Sequence, residues 1–380
     1  MSINRWSTPS DLGPEYELLW PPEIFHDEVQ AIVQQESPSN LSQMGFLLLE
    51  EAFADDAVSR DFVQCDTGSS WIPDHTKLTP VEFLQFLMLH SDLLHQKERT
   101  SPYWLDRNGV VAVTGLSPVR SLQQAWVSMV QGLIAKGYLS KIAPRPCVDD
   151  EYERSSVDNQ LDVLIAKRLG VSDLWHKVKK ETINADYLYA LFEVFHDLVS
   201  RPRKKHFHEF SNCGWEFEHQ VLRTGQRVYR WRVNALLLKY EVDLEIANAG
   251  ENIGRLVRRL GDPRAELVSQ VIETPDMESN DPVKHAIALF EKRNATRSDK
   301  RSACVALALI LEQRRKLLKR NLLSKDEGML FDIANNFDLR HRDGKHHSDY
   351  ADDYLDWIFW IYLSTIELSN RLIKTQLKNT

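Results

Sequence analysis

At 380 residues, 43% hydrophobic and 27% charged, the chain is long enough for two or three well-developed cores and ordinary in composition for a soluble globular protein. The net charge of −8 argues against a protein that coats nucleic acid through general positive charge. No apolar run approaches the roughly 18 residues needed to cross a bilayer, so no membrane segment is expected. The start, MSINRWSTPSDLGPEYELLW, lacks a basic stretch followed by an apolar core, so no signal peptide is expected either. Cys65, Cys147, Cys213 and Cys304 are far apart and form no CxxC pair. They read as reduced thiols of a cytoplasmic protein, with no cofactor expected.

Residues 1 to about 75 read as irregular, because Pro9, Pro14, Pro21 and Pro22 interrupt early helices. One short amphipathic helix is expected over Ile24–Gln35. Thr79-Pro80-Val81-Glu82 combines an N-cap, a proline at the first helical position and an acidic first turn. A helix should follow through Phe83, Phe86 and Leu87 to about Leu94. After a polar break, Val110–Thr114 is a short possible strand. Leu122, Ala125, Trp126, Met129, Val130 and Leu133 then recur at helical spacing up to Gly137, a plausible residue beyond a helix C-cap. Helix, strand, helix and the run Tyr138–Ile142 match the order of a winged-helix-like unit over 79–142. No basic cluster marks a recognition helix, so a plain helical domain is the preferred reading.

Pro144-Arg145-Pro146 and the polar run Asp149–Ser156 read as a connection. Helices are expected through Leu161–Leu169, ended by Gly170, and over Asp186–Ser200, stopped by Pro202. Arg201–His219 holds a second set of chemistry-bearing residues. A metal reading would use His206, His208, Cys213 and His219, but that spacing matches no common structural zinc pattern, and no metal is expected. A basic loop touching phosphate would use Arg203, Lys204 and Lys205 as substrate-binding residues. A solvated loop with packed aromatics (Phe207, Phe210, Trp215, Phe217) is the plain reading. From Gly225 to Tyr240, Tyr229, Trp231 and Val233 alternate as in a strand. Val228, Trp231, Ala235 and Leu238 fit a helix, which is preferred. Leu244 and Ile246, the Ala249-Gly250 turn and Ile253–Val257 resemble a β-hairpin, and Asp262-Pro263 opens a helix through Ile272.

Polar residues Glu273–Asn280 mark the last boundary. The expected organisation is an N-terminal helical domain (1–148), a central helical region with a β-hairpin (149–274) and a C-terminal antiparallel four-helix bundle (281–380). The fold class is mainly α with small β elements. From Asp281 to Thr380 there are 18 Lys+Arg against 14 Asp+Glu, +4; the other 280 residues carry 29 against 41, −12. In the bundle, Asp281-Pro282 opens helix one. Ser298 or Asp299 caps helix two, whose outer face is Arg301, Arg314, Arg315, Lys319 and Arg320. Ser324–Glu327 is a capping box opening helix three, and Asp349, Asp352 and Asp353 give helix four an acidic first turn.

Between helices three and four lies Arg340-His341-Arg342-Asp343-Gly344-Lys345-His346-His347. Imidazole, with a pKa near neutrality, can take the proton of a ribose 2′-hydroxyl. Guanidinium offers a fork of donors to a phosphate gaining charge. Arg340, the polar His341 directly after it, and His346 or His347 resemble the Arg-x4–6-His signature of HEPN domains, helical bundles found in many metal-independent ribonucleases of toxin and abortive-infection systems. The resemblance covers about the last hundred residues. It implies an endoribonuclease in which His346, or next His347, is the general base or acid, Arg340 holds the scissile phosphate and His341 orients it. Lys345 and Arg342 would add charge. It further implies RNA as substrate, a homodimer whose two motifs line one cleft and a role in phage defence; the acidic N-terminal two-thirds would sense a trigger or hold the nuclease in check, alone or with a regulatory partner protein. The alternative is a non-catalytic HEPN-like dimerisation or adaptor module, or a regulatory nucleic-acid-binding protein.

Overall fold

The computed structural model describes residues 12–34, 37–65, 77–95, 118–150, 155–210, 213–260, 262–273, 280–336 and 352–378. These are mainly helical with two small antiparallel hairpins. The chain forms two compact units, Met1–Leu236 and Leu237–Thr380. The expected central region, 149–274, is therefore shared between them rather than standing alone.

The first unit begins with α1 (Pro22–Val33), α2 (Pro38–Ala52) and α3 (Ala57–Val63). The expectation of irregular structure up to residue 75 is corrected by α2 and α3. Prolines 22 and 38 open helices rather than break them, because the first turn has no use for the N–H that proline lacks. Leu41, Met44, Leu48 and Ala52 then bury one face of α2. Gly45 lets α3 approach: a Cβ there would stand 2.6 Å from Phe62 Cζ. Next come α4 (Pro80–Leu89), a single turn α5 (Ser91–Leu94) and α6 (Pro118–Ala135). Thr79 and Glu82 form the capping box read from sequence: Thr79 Oγ1 accepts from the Glu82 N–H at 3.2 Å, and Glu82 Oε2 accepts from the Thr79 N–H at 2.8 Å. Residues 110–114, the proposed strand, lie outside the described residues. Tyr138–Ile142 are turns, not a wing strand, so a winged-helix assignment loses that element.

The unit continues through α7 (Val157–Leu169), α8 (Leu174–Lys180) and α9 (Ala185–Leu198). Gly170, at φ 71°, ends α7 in the left-handed conformation that glycine adopts at no steric cost. Trp126, Trp175, Phe192 and Phe195 meet edge-on or tilted at centroid distances of 5.0–6.0 Å. Each is fully buried, and each contributes about 1.5–3 kcal/mol through apolar burial alone. Gln123, also buried, supplies the polar accounting. Its amide donates to the carbonyls of Val178 and Glu181, which α8 leaves without helical partners, and accepts from the Ile183 N–H. Strands β1 (Lys204–His208) and β2 (Gly214–Glu218) follow, then α10 (Leu222–Lys239). The stretch 225–240 is thus helical, as read from its spacing.

In the second unit, β3 (Leu244–Ile246) pairs antiparallel with β4 (Leu256–Arg258), confirming a hairpin whose second strand starts three residues later than expected. Helices α11 (Asp262–Glu273), α12 (Asn280–Glu291), α13 (Arg297–Gln313), α14 (Arg315–Asn321), α15 (Ser324–Asn336) and α16 (Asp352–Lys378) complete it. Ala286, Leu307, Ile310, Leu355, Ile358 and Leu363 form the centre of its core, and Phe290 stacks on Phe359 at 3.7 Å.

Three local expectations in this unit are corrected. Thr296, not Ser298 or Asp299, caps α13, with Asp299 closing the box. Helix two is broken at Arg314 into α13 and α14. Arg314 itself is buried, donating to Ser369 Oγ at 2.5 Å and Asn370 Oδ1 at 2.7 Å, so it belongs to the inner rather than the outer face. Glu327, read as the capping-box acid of α15, accepts from Arg315 Nε at 2.8 Å.

Candidate functional site

The β1–β2 hairpin stands where a solvated loop was the plain reading of 201–219. Its register pairs Lys204 with Glu218, His206 with Glu216, and His208 with Gly214. An additional bridge between Arg201 and Val221, with bonds of 2.9 and 2.8 Å, fastens its base. Residues two apart on a strand share a face, so His206 and His208 lie on one side with Glu216. Lys205 and Phe207 lie on the other, where Phe207 meets Trp215 edge-on at 5.2 Å.

Below this hairpin, two arginines are locked into the first unit. Arg201, wholly buried, donates from Nη1 to Glu28 at 2.8 Å and from Nε to Glu51 at 3.0 Å, with Trp20 5.2 Å from its guanidinium. Arg203 grips both oxygens of Glu28 at 2.8 and 2.9 Å, and Thr224 adds a fourth bond at 2.8 Å. Burial by itself disfavours the Glu28 carboxylate, but Arg203 and Arg201 outweigh it and hold the pKa at about 2. Tyr138 donates to the other oxygen of Glu51 at 2.6 Å; burial, reinforced by Glu51, raises its phenol well above the usual range.

The proposed phosphate contacts on this segment are thus engaged within the unit. Arg203 is bound to Glu28. Lys204 donates to Asn40, and Lys205 donates to Glu50 at 2.6 Å with its ammonium 4.8 Å from the Trp215 ring centre. Arg203 in particular is a structural residue, because a bidentate carboxylate already fills the fork that a phosphate would need.

At the far end of the hairpin the structure collects a different set. Cys147 Sγ lies 3.4 Å from Cys213 Sγ and 3.4 Å from His208 Nδ1, and the three ligand atoms lie within 4.8 Å of one another. His208 Nε2 is 3.3 Å from Asp149 Oδ2, and Glu216 Oε1 is 3.7 Å from Nδ1. Cys147 is positioned by a tight turn in which its N–H donates to Asp150 Oδ2 at 2.9 Å and its carbonyl accepts from the Asp150 N–H. A backbone hydrogen bond at Asp149 favours the Cys147 thiolate, but the adjacent Cys213 and desolvation outweigh it, so the thiol lies above its ordinary pKa. Alongside runs a cavity of about 450 Å³, walled by Arg145, Cys147, Asp149, Cys213 and Glu216 among others.

Of the four metal-ligand candidates read from sequence, two, His208 and Cys213, are in this set. His206 instead faces Glu216 at 2.9 Å and Glu218 at 3.3 Å. His219, at φ 53°, turns the chain after β2. Cys147 was missed, since a ligand 61 positions before His208 leaves no spacing signature.

A second group of perturbed acids sits in the other unit. Burial, followed by the neighbouring Glu245, pushes Glu291 up to about 7, and burial raises Glu245 as well. Both line a small cleft with Lys284 and Asn252. The sequence candidates Arg340, His341, Arg342, Lys345, His346 and His347 lie outside the described residues. Their flanking helices, α15 and α16, both contribute to the core of the second unit, through Leu330 and Phe331 on one side and Leu355 and Ile358 on the other. No protein-family model, no curated protein and no solved structure matches this chain.

Proposed function

We propose that this protein is a metal-independent endoribonuclease that cleaves RNA by attack of a 2′-hydroxyl on the adjacent phosphate. The reading is supported by one observation above others. The segment that carries Arg340, His346 and His347 joins two helices, α15 and α16, that are anchored in a single helical core. A connection tied at both ends is the setting in which a guanidinium and an imidazole act together rather than along separate faces. In this mechanism His346 removes the hydroxyl proton and returns a proton to the leaving oxygen, with His347 the next candidate. Arg340 holds the phosphate and meets its developing charge, His341 orients it, and Lys345 and Arg342 supply further positive charge. Arg203, Lys204 and Lys205 are not part of this proposal, given their contacts with Glu28, Asn40 and Glu50.

The nucleophile comes from the substrate, so DNA is inert. A homodimer with both motifs in one cleft, regulation by the first unit and a role in phage defence belong to the proposal through the HEPN resemblance. The test is incubation of purified protein with RNA in EDTA. Fragments ending in 2′,3′-cyclic phosphate are expected, and Arg340→Ala and His346→Ala abolish them. Undiminished cutting by both variants overturns the assignment of roles.

A further inference from the structure

We propose that Cys147, His208 and Cys213 hold a zinc ion that clips the segment following α6 to the tip of the β1–β2 hairpin. The proposal is independent of the ribonuclease reading. It rests first on distances. With Zn–S near 2.3 Å and Zn–N near 2.0–2.1 Å, a tetrahedral ion needs sulfurs about 3.8 Å apart and a sulfur and a nitrogen about 3.6 Å apart. Both separations measured from Cys147 are 3.4 Å, within a few tenths of an ångström of those values, and the third, between Cys213 and His208, is no more than 4.8 Å.

His208 is also oriented to ligate. Its Nδ1 points to the sulfur, while its Nε2 faces Asp149 Oδ2 at 3.3 Å. A carboxylate on the far nitrogen fixes the tautomer that leaves Nδ1 free to ligate and makes it more basic. A disulfide between the two cysteines would give this imidazole no role. Glu216 Oε1 stands 3.7 Å from the same Nδ1, outside the close set of three, and water completes the tetrahedron. Two thiolates and an imidazole are a soft donor set, which selects zinc over magnesium or calcium. All three residues are partly exposed, which leaves the ion a route in.

The structural consequence follows from where the ligands come from. Cys147 belongs to a turn at the end of a proline-containing connection, and its side chain, with Asp149, links that connection to the hairpin. An ion there joins chain segments more than sixty residues apart, closing a long loop without a covalent bond.

The test uses the full chain, purified without an affinity tag that binds metals, and measures its zinc content by mass spectrometry. About one ion per chain is expected. The chelator-stripped protein is then titrated with Co²⁺; the expected spectrum has thiolate-to-cobalt charge-transfer bands and the strong visible absorption of a tetrahedral ion. Cys147→Ser and Cys213→Ser each lower zinc affinity by at least about a hundredfold, and Asp149→Asn lowers it by about 10–100-fold. His206→Ala, on the same strand but paired with Glu216 and Glu218, leaves binding unchanged. If the cysteine variants do not fold, the cobalt spectrum of the native chain decides. Absence of the charge-transfer bands overturns the proposal. So does zinc retained in both cysteine variants, or a reduced chain that takes up no metal and reoxidises to a Cys147–Cys213 disulfide.

Discussion

Replacing Glu28 by glutamine is the sharpest test of how the first unit is held together. The carboxylate is buried and accepts four hydrogen bonds, three of them from Arg201 and Arg203. Glutamine keeps the shape but removes the charge, leaving Arg201, fully enclosed, with Glu51 as its remaining anion. The pKa of about 2 against an ordinary 4.5 corresponds to roughly 3 kcal/mol, from about 1.4 kcal/mol per unit. Breaking a buried pair from one side costs about 3–5 kcal/mol by the same physics, so the two routes agree.

The sign follows from the depressed carboxylate. Its contribution is fully present above pH 4.5 and is lost as pH falls toward 2. Glu28→Gln should therefore destabilise the first unit by about 3 kcal/mol at pH 7 and by much less at pH 2. Hydrogen exchange in α1, α9 and α10 at several urea concentrations reports on this unit separately from the other. A loss below about 1 kcal/mol at pH 7, or an equal loss at both pH values, refutes the reasoning.

Two further predictions concern local packing and titration. Gly137→Ala should cost at least about 1–2 kcal/mol, because the residue has φ +79° and its new Cβ would stand 2.3 Å from Phe217 Cγ. A urea midpoint for the first unit matching that of the unmodified protein contradicts this. In the second unit, Glu291 is raised to about 7, so the folded state keeps a proton that the unfolded state gives up near 4.5. Stability of that unit should fall as pH rises through this window, by up to about 3 kcal/mol. Glu291→Gln should reduce the slope, leaving the part that comes from Glu245, and leave the unit more stable above pH 7; exchange protection in α12 measured across the window is the check, and an unchanged slope counts against the assignment.

Much of the helical architecture is legible without coordinates. The Thr79–Glu82 box, Gly170 after α7, the apolar spacing of α9 and the Asp262-Pro263 start of α11 each rest on interactions within a few residues. Local geometry is enough to specify them, so sequence patterns find them. The same reasoning failed for α2, which it missed although Pro38 stands at the helix start as Pro80 does in α4. It also failed for Arg314, which has the chemistry of a surface residue and becomes an inner one because Ser369 and Asn370 of α16 face it.

By itself, then, the amino-acid order determined the mainly helical class, most helix starts and stops, and the gathering of arginine and histidine between α15 and α16, all properties of neighbours in the chain. Only the tertiary structure decided that Arg203 serves Glu28 and that Cys147 joins His208 and Cys213. Those partners are separated by 175, 61 and 66 positions. No periodicity carries information over such distances, because it is packing, not chain geometry, that brings the atoms together.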